Sequence, residues 1–199
     1  TSSDKARLIL AQTNAIWIYQ DSSVLSTGTW YHIGATYDGS NTTGGLNVYV
    51  NGILDNGTSG SSSTITTLTT TESVKIGKYV SGNFFDGNLD EVSVWSSVLS
   101  AADIATLAGG VYDLKTVLSV TPVAWYRMGD SGTFYPSGAS GNWQIPDQMK
   151  ITNFSKYSFA FDGASYVDIE EQTIFDGLEV VTFSMWLNQA SLDTYDVIL

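Results

Sequence analysis

Residues 84–107 read FFDGNLDEVSVWSSVLSAADIATL, a strand pattern that runs directly into a capped helix. Val92 and Val94 alternate with Glu91, Ser93 and Trp95, the two-residue period of a half-buried strand. Ser100 stands where an N-cap belongs, and Asp103 follows in the capping-box position. Leu99 before the cap and Ile104 inside the helix are placed to form a hydrophobic staple. Ile104 and Leu107 give the short helix one apolar stripe, and Gly109 offers a C-cap.

The same residues carry a family resemblance. Phe85, Gly87, Leu89, Asp90, Glu91 and Val92, then Trp95, then Leu99, Ser100 and Ile104 follow one another in a fixed order. That order resembles the closing segment of a laminin-G-like domain, the concanavalin A-like lectin/glucanase jelly roll. Further segments are similar to strands of that family: Gly28-Thr29-Trp30-Tyr31-His32-Ile33-Gly34-Ala35-Thr36-Tyr37-Asp38-Gly39, the LNVYVNG of residues 46–52, and Val74, Ile76 and Gly77. The resemblance implies an all-β fold, an antiparallel jelly-roll sandwich of two sheets with one short helix near 101–108. It does not fix a function, because one fold hosts many.

Composition narrows the classes. A chain of 199 residues is long enough to bury a full core. The formal net charge of −12 argues against nucleic acid and anionic membranes as partners. Only 14% of residues are charged, so Ser, Thr, Gly and Asn must solvate much of the surface. Without Cys there are no disulfides and no thiolate metal sites. No stretch has the length of a membrane helix, and TSSDKAR is not a signal peptide. Export, if any, is then encoded elsewhere, or the protein travels as part of a particle.

In chain order, residues 6–19 read as two strands with a turn near Thr13-Asn14. Ile16 and Ile18 share one face of the second strand, Trp17 and Tyr19 the other. Asn51-Gly52 marks a type I′ hairpin turn. Residues 55–73, DNGTSGSSSTITTLTTTES, read as a solvated loop. Residues 111–154 hold all three prolines and many aromatics, too apolar for a disordered tether, and are expected to form an ordered connection. Their WYRMGD segment is similar to segments that precede laminin-G-like domains in structural proteins of marine phages and bacteria.

From residue 155 a new beginning follows. Phe159, Phe161, Asp162-Gly163 and Tyr166-Val167 resemble the family's opening strand, and VVTFSMWL at 180–187 reads as the next. Tyr195-Asp196-Val197-Ile198-Leu199 looks like a strand of the same opening third. The C-terminal two-thirds of a jelly roll (1–110) therefore comes first and the N-terminal third (155–199) last. Three arrangements fit: closure of one permuted domain, completion of a neighbouring chain's domain, or a segment of a tandem array. The length of 111–154 favours completion between chains.

Few residues suit catalysis. Asp90 and Glu91 are adjacent and face opposite sides of a strand, so they cannot flank one glycosidic bond. Asp168 and Glu170 share a face, but no third acid follows at the spacing of a jelly-roll glucanase. His32 is the only histidine and matches a structural position of the family. Asp90 shares parity with Val92 and Val94 and is expected to point inward, where it needs hydrogen bonds or a cation. The resemblance makes Asp90, with Asp162, the candidate pair for one structural Ca²⁺. Trp17, Tyr19 and Tyr49 are candidates for stacking on sugar rings, against ordinary sandwich packing.

These readings lead to a non-catalytic structural or adhesive module of a particle or cell surface, of the phage fibre, appendage or decoration kind. Its expected place is extracellular or on a virion. Its expected partners are other copies of itself, neighbouring structural proteins or surface glycans, with no nucleic acid and no membrane insertion. The alternatives are a carbohydrate-binding module of a bacterial adhesin or enzyme and, third, a glucanase.

Overall fold

Apolar residues alternate along the longer strands, and the buried ones gather in three packed clusters. The computed structural model describes residues 5–13, 15–66, 74–78, 84–110, 114, 118–127, 136–137, 142–143, 158–169 and 179–191. In chain order the strands are β1 (Arg7–Thr13), β2 (Ile16–Asp21), β3 (Trp30–Tyr37), β4 (Leu46–Val50), β5 (Ile53–Leu54), β6 (Ser59–Ser61), β7 (Val74–Ile76) and β8 (Asp86–Trp95). The helix α1 (Ala101–Ala108) follows, then β9 (Ala124–Tyr126), β10 (Pro136–Ser137), β11 (Asn142–Trp143), β12 (Phe159–Asp162), β13 (Val167–Ile169) and β14 (Val181–Gln189).

The larger sheet has the order β12-β8-β14-β3-β4-β5, with β9 lying beside β12 along the same flank of β8. The smaller has the order β1-β2-β6. All the strand pairs in both are antiparallel. Leu8 and Ile18 of the small sheet meet Ala35, Tyr37, Leu46, Val48, Val94 and Val181 of the large one. Ile33, Leu89, Val92, Met185 and Leu187 continue that core toward Ile76 and Phe161. The fold is thus the antiparallel sandwich with one helix that the sequence implies.

The helix forms as its sequence dictates. The Ser100 hydroxyl accepts the Asp103 N–H and the Asp103 carboxylate accepts the Ser100 N–H, a complete capping box. Leu99, Ile104 and Leu107 are buried with Tyr49 and Trp95 on the outer side of the large sheet. Gly34 of β3 is what lets α1 approach, since a Cβ there would lie 2.8 Å from the Ile104 Cγ2. Gly109 ends the helix with right-handed backbone at φ −72°, and the left-handed residue is its successor Gly110 at φ +78°.

The hydroxyl-rich run departs from the expected loop. Residues 59–61 pair with β2, and Ile65 is fully buried in the core. Residues 67–73 lie outside the described residues. The Asn51-Gly52 turn has φ of +51° and +80°, as a type I′ turn requires. The connection after the helix packs on the domain: Leu114 and Leu118 join the layer under α1, and β9 pairs with β8 from Val92 to Val94.

The tail enters the sheets of the head. β14 lies between β3 and β8, with Val181 opposite Tyr37 and Thr182 opposite Trp95. β12 pairs with β8, and β13 with β7. Phe85 of the head meets Phe161 of the tail edge-on at 6.2 Å. In this structure the tail pairs with the head of its own chain. The expected strand at 195–199 lies outside the described residues.

Candidate functional site

Hairpin register assembles the site. Because β1 and β2 pair Arg7 with Asp21, Ile9 with Tyr19 and Ala11 with Trp17, these six residues share one face of the small sheet. Leu8 and Ile18, on the other face, fill the core, so this face looks outward. Trp17 and Tyr19 are half-buried there, with ring centroids 5.6 Å apart and planes 33° from parallel. The Tyr19 ring folds over Gly60 of β6, where a Cβ would come within 2.7 Å of it.

Arg7 completes the surface. Its guanidinium carbon lies 3.9 Å from the Tyr19 ring centroid, a cation–π contact. Its Nε donates to Asp21 Oδ1 at 2.6 Å and its Nη2 to Oδ2 at 2.9 Å, the two-pronged geometry that fixes a guanidinium plane. Asp21 is nearly sealed, at 5% side-chain exposure, while Arg7 keeps 40%. The result is a fixed strip of two aromatic rings and a guanidinium beside exposed Ile9. Such a strip offers flat apolar faces with polar groups at one end.

Trp17 and Tyr19 are brought together as the sequence suggested; Tyr49 is not with them. Tyr49 lies on the other sheet, 7% exposed, in the layer beneath α1. Two residues apart in a strand implies a shared face only within that strand, and β4 turns its Tyr toward the helix. Arg7 and Asp21 were not singled out from sequence. A two-residue turn at Thr13-Asn14 would set Arg7 opposite Gln20; the observed pairing of Thr13 with Ile16 and the bulge between Ala11 and Thr13 bring Asp21 there instead.

Asp90 does not point where its parity with Val92 suggested. Glu91 adopts φ +52° and the β8–β14 register shifts beside it, a bulge that reverses the alternation. Leu89 and Val92 both face the inter-sheet core, so Asp90 lies on the helix side, opposite Trp186. Its Oδ1 accepts the Glu91 N–H at 2.9 Å. Asp162 is elsewhere, opposite Asp86, four residues from Asp90 along β8 and therefore roughly 13 Å away. The Ser165 hydroxyl, then the Ala164 and Ser165 amides, hold the Asp162 carboxyl below its usual range. The two acids do not fit one shared Ca²⁺, and no group of three His, Cys, Asp or Glu suited to a metal occurs among the described residues.

The bulge has a use of its own. Glu91 accepts from the Trp125 indole N–H and lies 3.3 Å from Arg127 Nε. The Arg127 guanidinium also sits 5.0 Å from the Trp125 ring. These two residues of the WYRMGD segment clamp β9 onto β8.

His32 and Ser184 are 2.8 Å apart, Nε2 to Oγ, the spacing of a nucleophile and its base. The pair is sealed, however, at 1% and 3% exposure. His32 Nδ1 is buried without a hydrogen-bond partner, so no acid orients the ring. Burial pulls the imidazole down to about 4. Asp168 is exposed on β13 opposite Lys75, and Glu170 lies outside the described residues.

A two-sheet antiparallel sandwich with a capped helix on one face and an aromatic strip on the other is the architecture of a lectin-like β-sandwich module. The family model described as the concanavalin A-like lectin/glucanases superfamily, of the laminin-G type, matches residues 1–105. The chain belongs to that superfamily. Comparison with curated proteins and with solved structures returned no match. No helix among the described residues is long and apolar enough to cross a membrane.

Proposed function

We propose that this chain is a non-catalytic adhesive module of a particle or cell surface, acting by binding a surface glycan. The observation that supports this reading is the outward strip of Trp17, Tyr19 and Arg7, fixed by Asp21. A pyranose has one face of C–H groups that stacks on an aromatic plane, and ring hydroxyls that pair with a guanidinium. Trp17 takes the stacking role, because Arg7 already lies over Tyr19. A non-catalytic role is supported by the sealing of the His32–Ser184 pair. A place on a phage-like particle is supported by the WYRMGD resemblance and the acidic, hydroxyl-rich composition. The same strip would serve a carbohydrate-binding module attached to an adhesin or enzyme.

Glycan-array binding of the full chain tests this. The chain should retain a defined set of glycans and release no reducing sugar from them. Trp17→Ala should weaken retention about tenfold, the equivalent of the ~1.5 kcal/mol of one aromatic contact. Equal retention by Trp17→Ala and Tyr19→Ala, or no retention by the parent chain, would refute the assignment. Sugar release abolished by Asp168→Asn would instead identify a glucanase.

A further inference from the structure

Each described strand of the tail in these two sheets and in the β7–β13 ladder pairs with a strand of the head: β12 with β8, β13 with β7, and β14 with both β3 and β8. None of β12, β13 and β14 pairs with another of the three. Every ladder formed by the tail's described strands is therefore borrowed from the head. The head is equally dependent, because β14 fills the middle of its large sheet rather than an edge. Phe183, Met185 and Leu187 of β14 enter the core. On the opposite face the Thr182 hydroxyl accepts the Leu99 N–H at 3.0 Å and donates to the Ser97 carbonyl at 2.7 Å. The Ser93 hydroxyl donates to the Ser184 carbonyl at 3.1 Å.

We propose that the channel between β3 and β8 is a strand-binding site which a second copy's tail can occupy, linking copies of this chain. The recognised ligand is an extended segment that alternates large apolar residues with hydroxyls: Phe183, Met185 and Leu187 on one face, Thr182 and Ser184 on the other. Any copy's β14 makes the same contacts, so only chain connectivity decides which copy supplies it. The link between β9 and β12 runs through residues 127–158, and tethering within one chain sets an effective concentration on the order of 1 mM. Copies at lower concentration close on themselves; copies held side by side exchange. This inference is independent of glycan binding.

The chain has no Cys, so introduced cysteines report the exchange directly. Ser93 and Ser184 are opposite one another in the β8–β14 ladder, within disulfide reach. A Ser93→Cys chain and a Ser184→Cys chain are mixed, unfolded, refolded together and oxidised. Covalent dimer should be at least tenfold more abundant after refolding at about 1 mM than at about 10 µM. Substituting Ser119→Cys for Ser184→Cys should give no such dimer. A single chain carrying both Ser93→Cys and Ser184→Cys should close its own disulfide at low concentration. If that chain closes its disulfide while the mixture yields no dimer at either concentration, exchange is ruled out. Should the Ser184 variant not fold, Thr36→Cys with Thr182→Cys, opposite on the other edge of β14, decides the question by the same criteria.

Discussion

The Ser184 hydroxyl lies 2.8 Å from His32 Nε2, joining residues 152 positions apart across the β14–β3 boundary. Trp186 meets the same imidazole edge-on at 5.4 Å, so the tail supplies both neighbours on that side. Burial lowers this histidine from 6.5 to about 4, and folding therefore favours its neutral form. Above pH 6.5 both folded and unfolded chains hold it neutral and the contribution is complete. As pH falls from 6.5 toward 4 the unfolded chain takes up the proton first, and stability drops. Between pH 7 and pH 5 the loss should be about 2 kcal/mol. Urea midpoints of the parent and of His32→Gln at the two pH values check this: the variant should lose that much less on acidification. Parallel losses would show that other groups carry the acid sensitivity.

The Glu91 clamp predicts an ordering of variants. Arg127 and Glu91 have only 9% and 16% side-chain exposure, so deleting the carboxylate takes a charge partner from a buried cation. Glu91→Ala should cost on the order of 3 kcal/mol, and Trp125→Phe, which removes only the N–H, about 1 kcal/mol. Thermal denaturation of both variants measures the order; a neutral Glu91→Ala would remove the clamp from the account.

Gly34 predicts a steric effect. A methyl there would press into Ile104, which is fully buried. Gly34→Ala should destabilise by about 1–3 kcal/mol, as overpacking does, and Ile104→Ala, which removes the Cγ2 it meets, should make the double variant less costly than the sum of the two. Denaturant titration of the single and double variants reads the coupling, and simple additivity would contradict the contact.

Calcium gives a prediction from misfit. Since Asp90 lies on β8 and Asp162 on β12, opposite Asp86, the two carboxylates are too far apart to share one ion, and a chelator should leave the melting temperature unchanged. A drop of several degrees, removed by Asp90→Ala, would show an ion held by Asp90 with other ligands.

Much of this fold was legible because local signals agreed with one another. Ser100, Asp103, Leu99 and Ile104 each specify the helix start, and all four behave as written. The Ile18 against Trp17 and Tyr19 alternation separated the two faces of β2, and the structure shows which of them meets the core. What escaped the sequence was carried by backbone. The bulge at Glu91 reverses parity for Asp90 without any glycine to announce it. Strand β6 forms from Ser59, Gly60 and Ser61 because β2 offers an edge, and its residues show no strand propensity. Arg7 and Asp21 required a cross-strand register, and Tyr49 was misplaced because apolar packing on both faces of β4 looks the same in a linear pattern.

The central claim is that head and tail build one sheet with β14 at its centre. Amide hydrogen exchange of the full chain measures it most directly. The amides of residues 182–188 should exchange as slowly as those of β3 and β8, in one cooperative unit. Fast exchange in 182–188 beside a protected β3 and β8 would contradict the claim.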